Sequence, residues 1–469
     1  MFKNLFLIAV STGACFIAKI SAAENAGQEK KTDYDLCAFT WEKPVDGTEH
    51  LIPMIWTGWG KRAVRRIQDP VKAAQTSIAS PKGKAAVFIW SGMEIIGYPG
   101  DKISGTEFPG PWMENGIPQV RKQAEEYFKA YKEAGGLMDF LVLDFEGGFS
   151  MWDRKPARIE ATFNSPRFVE FKGQLPDMKP SEITSDTNPP SYQLGEKLSD
   201  LPPKPYMIWN TFMEGIVSKG LNEAIFDPVV KLFPKVRASN YNSFWVKGDN
   251  VYIDYAGHIT SNVNAVFGNC NCPVFYGNFH SGLAKRTLSD GTIFGDSPFS
   301  VLRREVDDLR AIARSSTEPC TPWISYKSYT KSKFKDNDYY QELVYHLALS
   351  GVRVFLVWNA APWKHEQTMD EWRKESDDLI LDSCLRTLNK KLQGSVHECV
   401  TLGDSAWNGG ILVSGMKLDA GRTLWRITVP AWDVKVKVLP SGEILSTNKS
   451  IGLWYESQGS EGVSFEAIK

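Results

Sequence analysis

Short apolar runs, each about as long as a β-strand, recur along this chain and are separated by helical or irregular stretches. The runs are nearly continuously apolar, which is typical of strands that are buried on both faces. Strands that alternate with helices form a parallel sheet. The pattern therefore predicts an α/β fold, a TIM-like (β/α) barrel, with strands in 50–60, 84–92, 138–148, 236–244, 272–279, 321–329 and 352–359.

Three stretches carry apolar residues at helical spacing and are predicted to be helices, over 116–136, 297–316 and 336–351. After about residue 395 the apolar residues alternate with period two, which predicts a small antiparallel, β-sandwich-like domain over 396–469. The barrel domain is then assigned to 24–395, with a Pro-rich insertion at 153–235.

The first residues have the features of a secretory signal. Lys3 is basic, residues 5–18 are mostly apolar, and Ser21 and Ala23 are small residues at the −3 and −1 positions of a cleavage site. No later segment has the long apolar run that a membrane span needs. A signal peptide over 1–23 is predicted, and the mature chain is expected to be secreted or periplasmic with no membrane partner.

Charge and cysteine content narrow the classes of partner. With 54 basic and 55 acidic residues the formal net charge is −1, which argues against nucleic acid as the main partner. Cys15 lies in the signal, and an even number of cysteines remains, which favours disulfide bonds in an exported protein. Cys270 and Cys272 lack the spacing of a zinc site, and the sequence carries no nucleotide-binding fingerprint, so neither a metal nor a cofactor is predicted.

Aromatic and polar residues stand at the carboxyl ends of the predicted strands. In a (β/α) barrel the active site is built at that edge. Tryptophan and tyrosine offer an apolar face and a polar edge, which suits contact with sugar rings. These positions predict a substrate groove lined by Trp56, Trp90, Tyr241, Tyr276, Tyr326, Trp358 and Asn359.

Asp144 and Glu146 follow the apolar run 138–143, two positions apart. Residues i and i+2 of a strand point to the same side, so the two carboxyl groups are predicted to lie together. Two neighbouring carboxylates do not both ionise easily, and one pKa rises. Glu146 is therefore predicted to be a general acid that protonates a glycosidic oxygen, with Asp144 as its charged partner.

The spacing of this pair bears on the reaction type. The usual glycosidase arrangements place two carboxyl groups about 5–5.5 Å apart for a nucleophile or about 6.5–9.5 Å apart for a water. A pair on one strand approaches the bond from one side. Such a pair suits substrate assistance, in which the acetamido oxygen of an N-acetylhexosamine attacks the anomeric carbon while Asp144 orients the amide.

Two segments resemble the hyaluronidase family, glycoside hydrolase family 56. The first, 114–154, contains "GIPQ", a helix, and the apolar strand that carries Asp144 and Glu146. The second, 301–359, resembles the family's late Arg-bearing helix, its helix ending in "ALSG", and a final strand ending in Trp358. The resemblance implies a (β/α) barrel that cuts a glycosaminoglycan-like polysaccharide.

Carried over by position, the resemblance implies Glu146 as acid/base and Asp144 as the group that stabilises the acetamido intermediate. It implies Trp358 as a wall of the sugar subsite and Tyr241 as a substrate contact. The family's other active-site tyrosine corresponds either to Tyr276 or to the position of Cys272. The pair Gly147-Gly148 replaces bulkier residues of the family, which fits a related enzyme that acts on another acidic polysaccharide.

Two alternatives stay open at this stage. One is a barrel glycosidase that pairs Glu146 with a carboxylate from another strand, such as Glu94, on a sugar without an acetamido group. The other is a carbohydrate-binding protein that keeps the scaffold without catalysis. The sequence does not fix the sugar, the linkage or the oligomeric state.

Overall fold

The computed structural model describes residues 35–58, 68–89, 116–143, 218–240, 267–276, 297–315, 318–325, 337–359, 378–393, 398–400, 410–419, 421–447 and 450–468, together with 252–253, 259–260, 286–287, 293–294 and the single residues 160, 164, 169 and 179. The signal peptide and most of the Pro-rich insertion lie outside this range. The predictions about them stay predictions.

The strands are numbered in chain order as β1 (Cys37–Thr40), β2 (Leu51–Pro53), β3 (Ile55–Thr57), β4 (Ala86–Ile89), β5 (Phe140–Leu143), β6 (Arg237–Asn240), β7 (Tyr252–Ile253), β8 (Ile259–Thr260), β9 (Val274–Phe275), β10 (Arg286–Thr287), β11 (Ile293–Phe294), β12 (Trp323–Ile324), β13 (Val354–Val357), β14 (Glu398–Cys399), β15 (Leu412–Asp419), β16 (Arg422–Thr428), β17 (Lys435–Leu439), β18 (Ile444–Ser446), β19 (Gly452–Gln458) and β20 (Ser464–Ile468). The α-helices are α1 (Pro70–Ile78), α2 (Gly116–Glu133), α3 (Asp227–Leu232), α4 (Pro298–Ser315), α5 (Asn337–Leu349) and α6 (Asp378–Lys391). A π-helical turn (Asn222–Phe226) leads into α3, and a short 3-10 turn (Pro81–Gly83) precedes β4.

Two parallel sheets form the first part of the fold, as the apolar runs predict. One has the order β3-β4-β5-β6, and the other has the order β2-β1-β13-β12-β9. In the first sheet the register places Leu143 of β5 between Ile89 of β4 and Asn240 of β6. The end of β5 is therefore flanked on both sides by strand ends.

Two links join segments of the two sheets. Only Met54 separates β2 from β3, and its N–H donates to the carbonyl of Thr40 at 2.9 Å. In the second link, Asn269 donates its N–H to the carbonyl of Ala238 at 3.0 Å, and its Oδ1 accepts the Ala238 N–H at 2.9 Å. Gly268 allows this approach, because it has φ +81° and a Cβ there would collide with Ala238.

Helices cover both parallel sheets. Alternate residues of β3, β4, β5 and β6 pack with α1, α2 and the helical residues 218–232 in one buried cluster. The second sheet packs in the same way on α4, α5 and α6. At the start of α1, Asp69 accepts the N–H groups of Val71 and Lys72, and Pro70 occupies a position that has no N–H to satisfy.

The C-terminal residues form antiparallel sheets, as their period-two pattern predicts. One sheet has the order β14-β15-β16-β19 and the other has the order β18-β17-β20. Trp425, Ile427 and Val436 belong to a shared core between them. The opposite face of β15 and β16 packs on α4, α5 and α6 through Leu412, Met416 and Leu424.

Three features differ from the expectation. Strand β1 was not among the predicted runs, because its apolar stretch is too short to stand out. Residues 218–232 fall within the stretch assigned to the insertion, but they are helical and pack on α2. Pro228 suggests a helix break there, yet it stands at the start of α3, where proline is tolerated. Helix α6 was also not predicted.

The predicted disulfides are not supported. The cysteines Cys37, Cys270, Cys272, Cys320, Cys384 and Cys399 all carry free thiols in the structure. Burial raises the pKa of Cys37 and of Cys270 to about 11, so both stay protonated at neutral pH. Within the described ranges no helix combines the length and the apolar character of a membrane span.

Candidate active site

The pleat of the strands sorts their side chains between two environments. On β5, Phe140 and Val142 belong to a central cluster, whereas Leu141 and Leu143 face the helices. We call the central cluster the inner core. It takes residues from both parallel sheets, and its main members are Cys37, Phe39, Ile52, Trp56, Phe88, Phe140, Val142, Cys272, Val274, Tyr276, Trp323 and Leu356.

Trp41 and three aromatic members of the inner core form an aromatic layer near the carboxyl ends of the strands. Trp41 follows β1, and its ring stands edge-on to Trp56 at 4.5 Å and to Phe88 at 4.7 Å between centroids. Trp323 of β12 lies 6.2 Å away from the same ring. The indole N–H of Trp56 donates to the carbonyl of Trp41 at 3.2 Å. The structure thus places Trp56 in this layer with only 7% of its surface exposed.

Tyr276 and Trp358 form a second aromatic contact at the same edge. Their ring centroids are 5.3 Å apart and their planes are inclined by 30°. Tyr276 follows β9 and is buried, whereas Trp358 follows β13 and is half-buried. Between them, Ser325 follows β12 and donates its hydroxyl to the carbonyl of Trp358 at 2.8 Å. Two predicted site residues therefore lie together.

Asn359 lies next to this pair, and its amide is engaged by protein groups. Its Oδ1 accepts the N–H of Glu42 at 2.7 Å, and its Nδ2 donates to Asp378 at 3.3 Å. Asp378 in turn accepts the N–H of Val45 at 3.0 Å. These contacts tie the strand ends of β1 and β13 to the start of α6, and a substrate contact by Asn359 stays a prediction.

The other predicted site residues, Asp144, Glu146, Trp90, Tyr241, Tyr326 and the alternative Glu94, lie outside the described residues. Several of their chain neighbours are described. Leu143, Ile89 and Asn240 are the residues that come directly before Asp144, Trp90 and Tyr241. Leu143 is the register partner of both Ile89 and Asn240. The predicted pair thus follows a strand end at the centre of its sheet.

The sequence reasoning missed Trp41, Ser325 and Asp378 at this edge. Trp41 follows the short run "CAFT" (37–40), and recognising that run as a strand would have placed it at the carboxyl edge. Ser325 lies inside the predicted run 321–329, one position before Tyr326, but a serine hydroxyl gives no distinctive sequence signal. Asp378 is buried through contacts distant in sequence, which no local pattern reveals.

The described part of the chain offers no metal site and no reactive thiol here. No group of three or more His, Cys, Asp or Glu side chains in it is arranged to hold a metal ion. Cys272 in the inner core has a pKa well above the usual value because of burial, which outweighs an opposing hydrogen bond from Ser239.

No protein-family model matches this chain, and no curated protein matches it in sequence. Among solved structures, the chain is similar to a conserved exported protein from Bacteroides fragilis, with 7% identity and a TM-score of 0.34 over 84% of this chain and 78% of that one. It is similar to bee venom hyaluronidase, with 9% identity and a TM-score of 0.25 over 58% of this chain and 77% of that one. A third similar structure is a GH27 β-L-arabinopyranosidase from Geobacillus stearothermophilus, with 11% identity and a TM-score of 0.36 over 93% of this chain and 86% of that one. All three TM-scores lie below 0.5, so the activity is inferred from the chain's own residues.

Proposed function

We propose that the two parallel sheets are one closed (β/α) barrel. Three described features support this. The strands β2 and β3 are joined through Met54, Asn269 links β6 to the segment that leads into β9, and both sheets share the inner core. Counting β2 and β3 as one strand gives the sheet the connectivity of an eight-stranded parallel barrel. The carboxyl edge described above is then the mouth of the barrel.

We propose that the chain is an exported glycoside hydrolase with Glu146 as general acid/base. The observation that carries the proposal is the pleat of β5, in which Phe140 and Val142 face the inner core. An extension of the same alternation past Leu143 would take in positions 144 and 146. Both carboxyl groups would then point into the barrel mouth, where an active site is built.

The same alternation supports a sugar groove around the pair. Phe88 on β4 belongs to the inner core, and Ser239 on β6 alternates with Ala238, which packs on the helices. An extension of these alternations would take in positions 90 and 241. Trp90 and Tyr241 would then flank Asp144 and Glu146. Across the mouth, Tyr276 and Trp358 present a tilted aromatic pair of the kind that packs on sugar rings.

The chemistry that follows is substrate-assisted hydrolysis. Glu146 would donate its proton to the leaving oxygen and then take a proton from the attacking water. Asp144 would stay ionised, hold the acetamido N–H and stabilise the positive charge that develops on the ring. The proposed substrate is a glycosaminoglycan-like or other anionic polysaccharide that contains N-acetylhexosamine, as the resemblance to hyaluronidases implies.

The test uses the mature chain with hyaluronan, chondroitin and an anionic polymer without acetamido groups. Reducing-end release should occur with the first two classes and be absent with the third. Glu146→Gln and Asp144→Asn should abolish release, while Glu133→Gln, which changes an exposed carboxylate at the end of α2, should not. Activity on the polymer without acetamido groups would favour the two-strand glycosidase, and binding without release would identify a carbohydrate-binding protein.

A further inference from the structure

A buried chain of polar groups connects helices α4 and α5 with strands β15 and β16. Its centre is His346 on α5, which is fully buried. The Nδ1 atom of His346 lies 2.7 Å from the hydroxyl of Ser414 on β15. Its Nε2 atom lies 2.8 Å from the hydroxyl of Thr428 on β16. The imidazole therefore joins a helix beside the parallel sheet to the C-terminal sheet.

The neighbours of the two hydroxyls fix the position of the imidazole proton. Arg310 on α4 donates to the Ser414 oxygen at 2.7 Å, and the Ser414 hydroxyl can donate its own hydrogen to Nδ1. Thr428 donates its hydrogen to Glu342 at 2.5 Å, so the Thr428 oxygen accepts from Nε2. His346 thus carries a proton on Nε2, and burial keeps the ring neutral by holding its pKa well below the ordinary value. The four hydrogen bonds that connect Arg310 with Glu342 therefore all point from donor to acceptor in the direction of Glu342.

The chain of polar groups ends in a buried ion pair. Arg426 on β16 donates through Nε to Glu342 on α5 at 2.7 Å, and its Nη2 donates to the other oxygen of the same carboxylate. The guanidinium carbon lies 4.8 Å from the ring centroids of both Tyr345 and Trp454. A bidentate pair of this kind has one favoured geometry. It holds only when the C-terminal sheet is seated on α5.

Charged groups from three elements lie around His346. The cations are Arg310 on α4 and Arg426 on β16, and both lower the pKa of His346 after the larger effect of burial. The anion on its own helix is Glu342, 3.9 Å from Nε2. Arg310 also lies near a carboxylate of its own helix, with its Nη1 atom 3.9 Å from Oδ1 of Asp307. A proton on His346 adds a positive charge at a fully buried site near these two arginines and turns Nδ1 from an acceptor into a donor, so the Ser414 hydrogen loses its acceptor.

We propose that this chain of polar groups is an acid-sensitive latch that holds the C-terminal sheets on helices α4 and α5. Protonation of His346 removes the acceptor that Ser414 needs and places a charge at a fully buried position. When the latch is open, His346 is hydrated and titrates near its ordinary pKa of about 6.5. The latch is therefore strongest above that pH. Its opening constant rises about tenfold for each pH unit below it, until the lowered pKa of the closed state is reached.

Hydrogen exchange of the full-length mature protein between pH 7.5 and 5 tests the latch, after correction for the intrinsic exchange rate. Peptides from β15 and β16 should lose protection about tenfold per pH unit below about 6.5, relative to peptides from β4 and β5. His346→Gln keeps an acceptor and a donor but does not titrate, so it should abolish this relative slope. Ser414→Ala, the matched control, should raise exchange at every pH and keep the slope, because the imidazole is still present.

An unchanged slope in His346→Gln would overturn the proposal, as would equal loss of protection in the C-terminal and central strands. If His346→Gln does not fold, an NMR titration of the wild-type imidazole decides the question. We expect the His346 ring to stay neutral well below pH 6 while the protein is folded. A ring that titrates near pH 6.5 with the C-terminal sheets still protected would contradict the latch.

Discussion

The rings of Tyr276 and Trp358 face each other at the carboxyl edge of the parallel strands, with 5.3 Å between their centroids. Tyr276 follows β9, Trp358 follows β13, and the hydroxyl of Ser325 from the intervening strand fixes the Trp358 backbone. The pair is thus held by three neighbouring strands. A surface held in this way is pre-organised for a flat ligand, because little side-chain freedom is lost on binding.

Trp358→Ala is expected to weaken polysaccharide binding. An aromatic contact of this kind contributes about 0.5–1.5 kcal/mol, so KM should rise about 2- to 13-fold with a smaller change in kcat. Trp358→Phe should retain most of the affinity. Trp432→Ala is the matched control, because Trp432 is 61% exposed in the turn after β16. Equal KM values for Trp358→Ala and the wild type would remove Trp358 from the proposed subsite.

Asp378→Ala is expected to destabilise the fold at the strand ends. Asp378 is 1% exposed and accepts hydrogen bonds from the Val45 N–H and the Asn359 amide. Without the carboxylate, both buried donors lose a partner, at a cost of about 1–3 kcal/mol for each buried group. Urea denaturation should show the loss, and Asp378→Asn should recover part of it because one acceptor oxygen remains. If Asp378→Ala has the same free energy of unfolding as the wild type, water has taken the place of the carboxylate.

Asp382 predicts an acid-dependent contribution to stability. Its burial alone would raise the pKa, but hydrogen bonds from the backbone of His50 and Glu49 lower it below the ordinary value. Arg386 also donates to it at 2.7 Å. A carboxyl group with a lowered pKa in the folded state stabilises that state above its unfolded pKa, about 3.9, and the stabilisation is lost as the pH falls through the lowered value.

Asp382→Asn should therefore be less stable than the wild type at pH 7. The expected difference is about 1.5–3 kcal/mol, the range for a hydrogen bond to a charged group. The difference should shrink steadily below pH 4. Asp46→Asn serves as the control, because the Asp46 side chain is 98% exposed. A gap between wild type and Asp382→Asn that is constant from pH 7 to pH 2 would show that the charge of Asp382 is not responsible.

The sequence predicted the elements that carry strong local patterns. The helix predicted over 116–136 is α2, and the runs 138–148 and 352–359 contain β5 and β13. The period-two pattern after residue 395 correctly predicted antiparallel strands. Strand β1 was not predicted, because four residues carry too little periodic signal, although it pairs with both β2 and β13.

Contacts between distant residues were beyond the reach of the sequence. The partners of Asn359, for example, are Glu42 and Asp378, which no local pattern connects with it. The latch around His346 depends in the same way on Ser414 and Thr428 from two strands of the C-terminal sheet. The sequence does show residue types at strand ends. It therefore placed Tyr276 and Trp358 at one edge of the sheet, where they are in contact, and their role in a sugar groove stays a prediction.

We propose above that Glu146 transfers the proton to the leaving oxygen. The most direct measurement is reducing-end release from hyaluronan by the wild type and by Glu146→Gln, with a parallel measurement of hyaluronan binding. We expect the variant to bind the polymer as the wild type does and to lose about 10²–10⁴-fold in turnover, the usual contribution of a general acid. Turnover by Glu146→Gln at the wild-type rate would contradict the account.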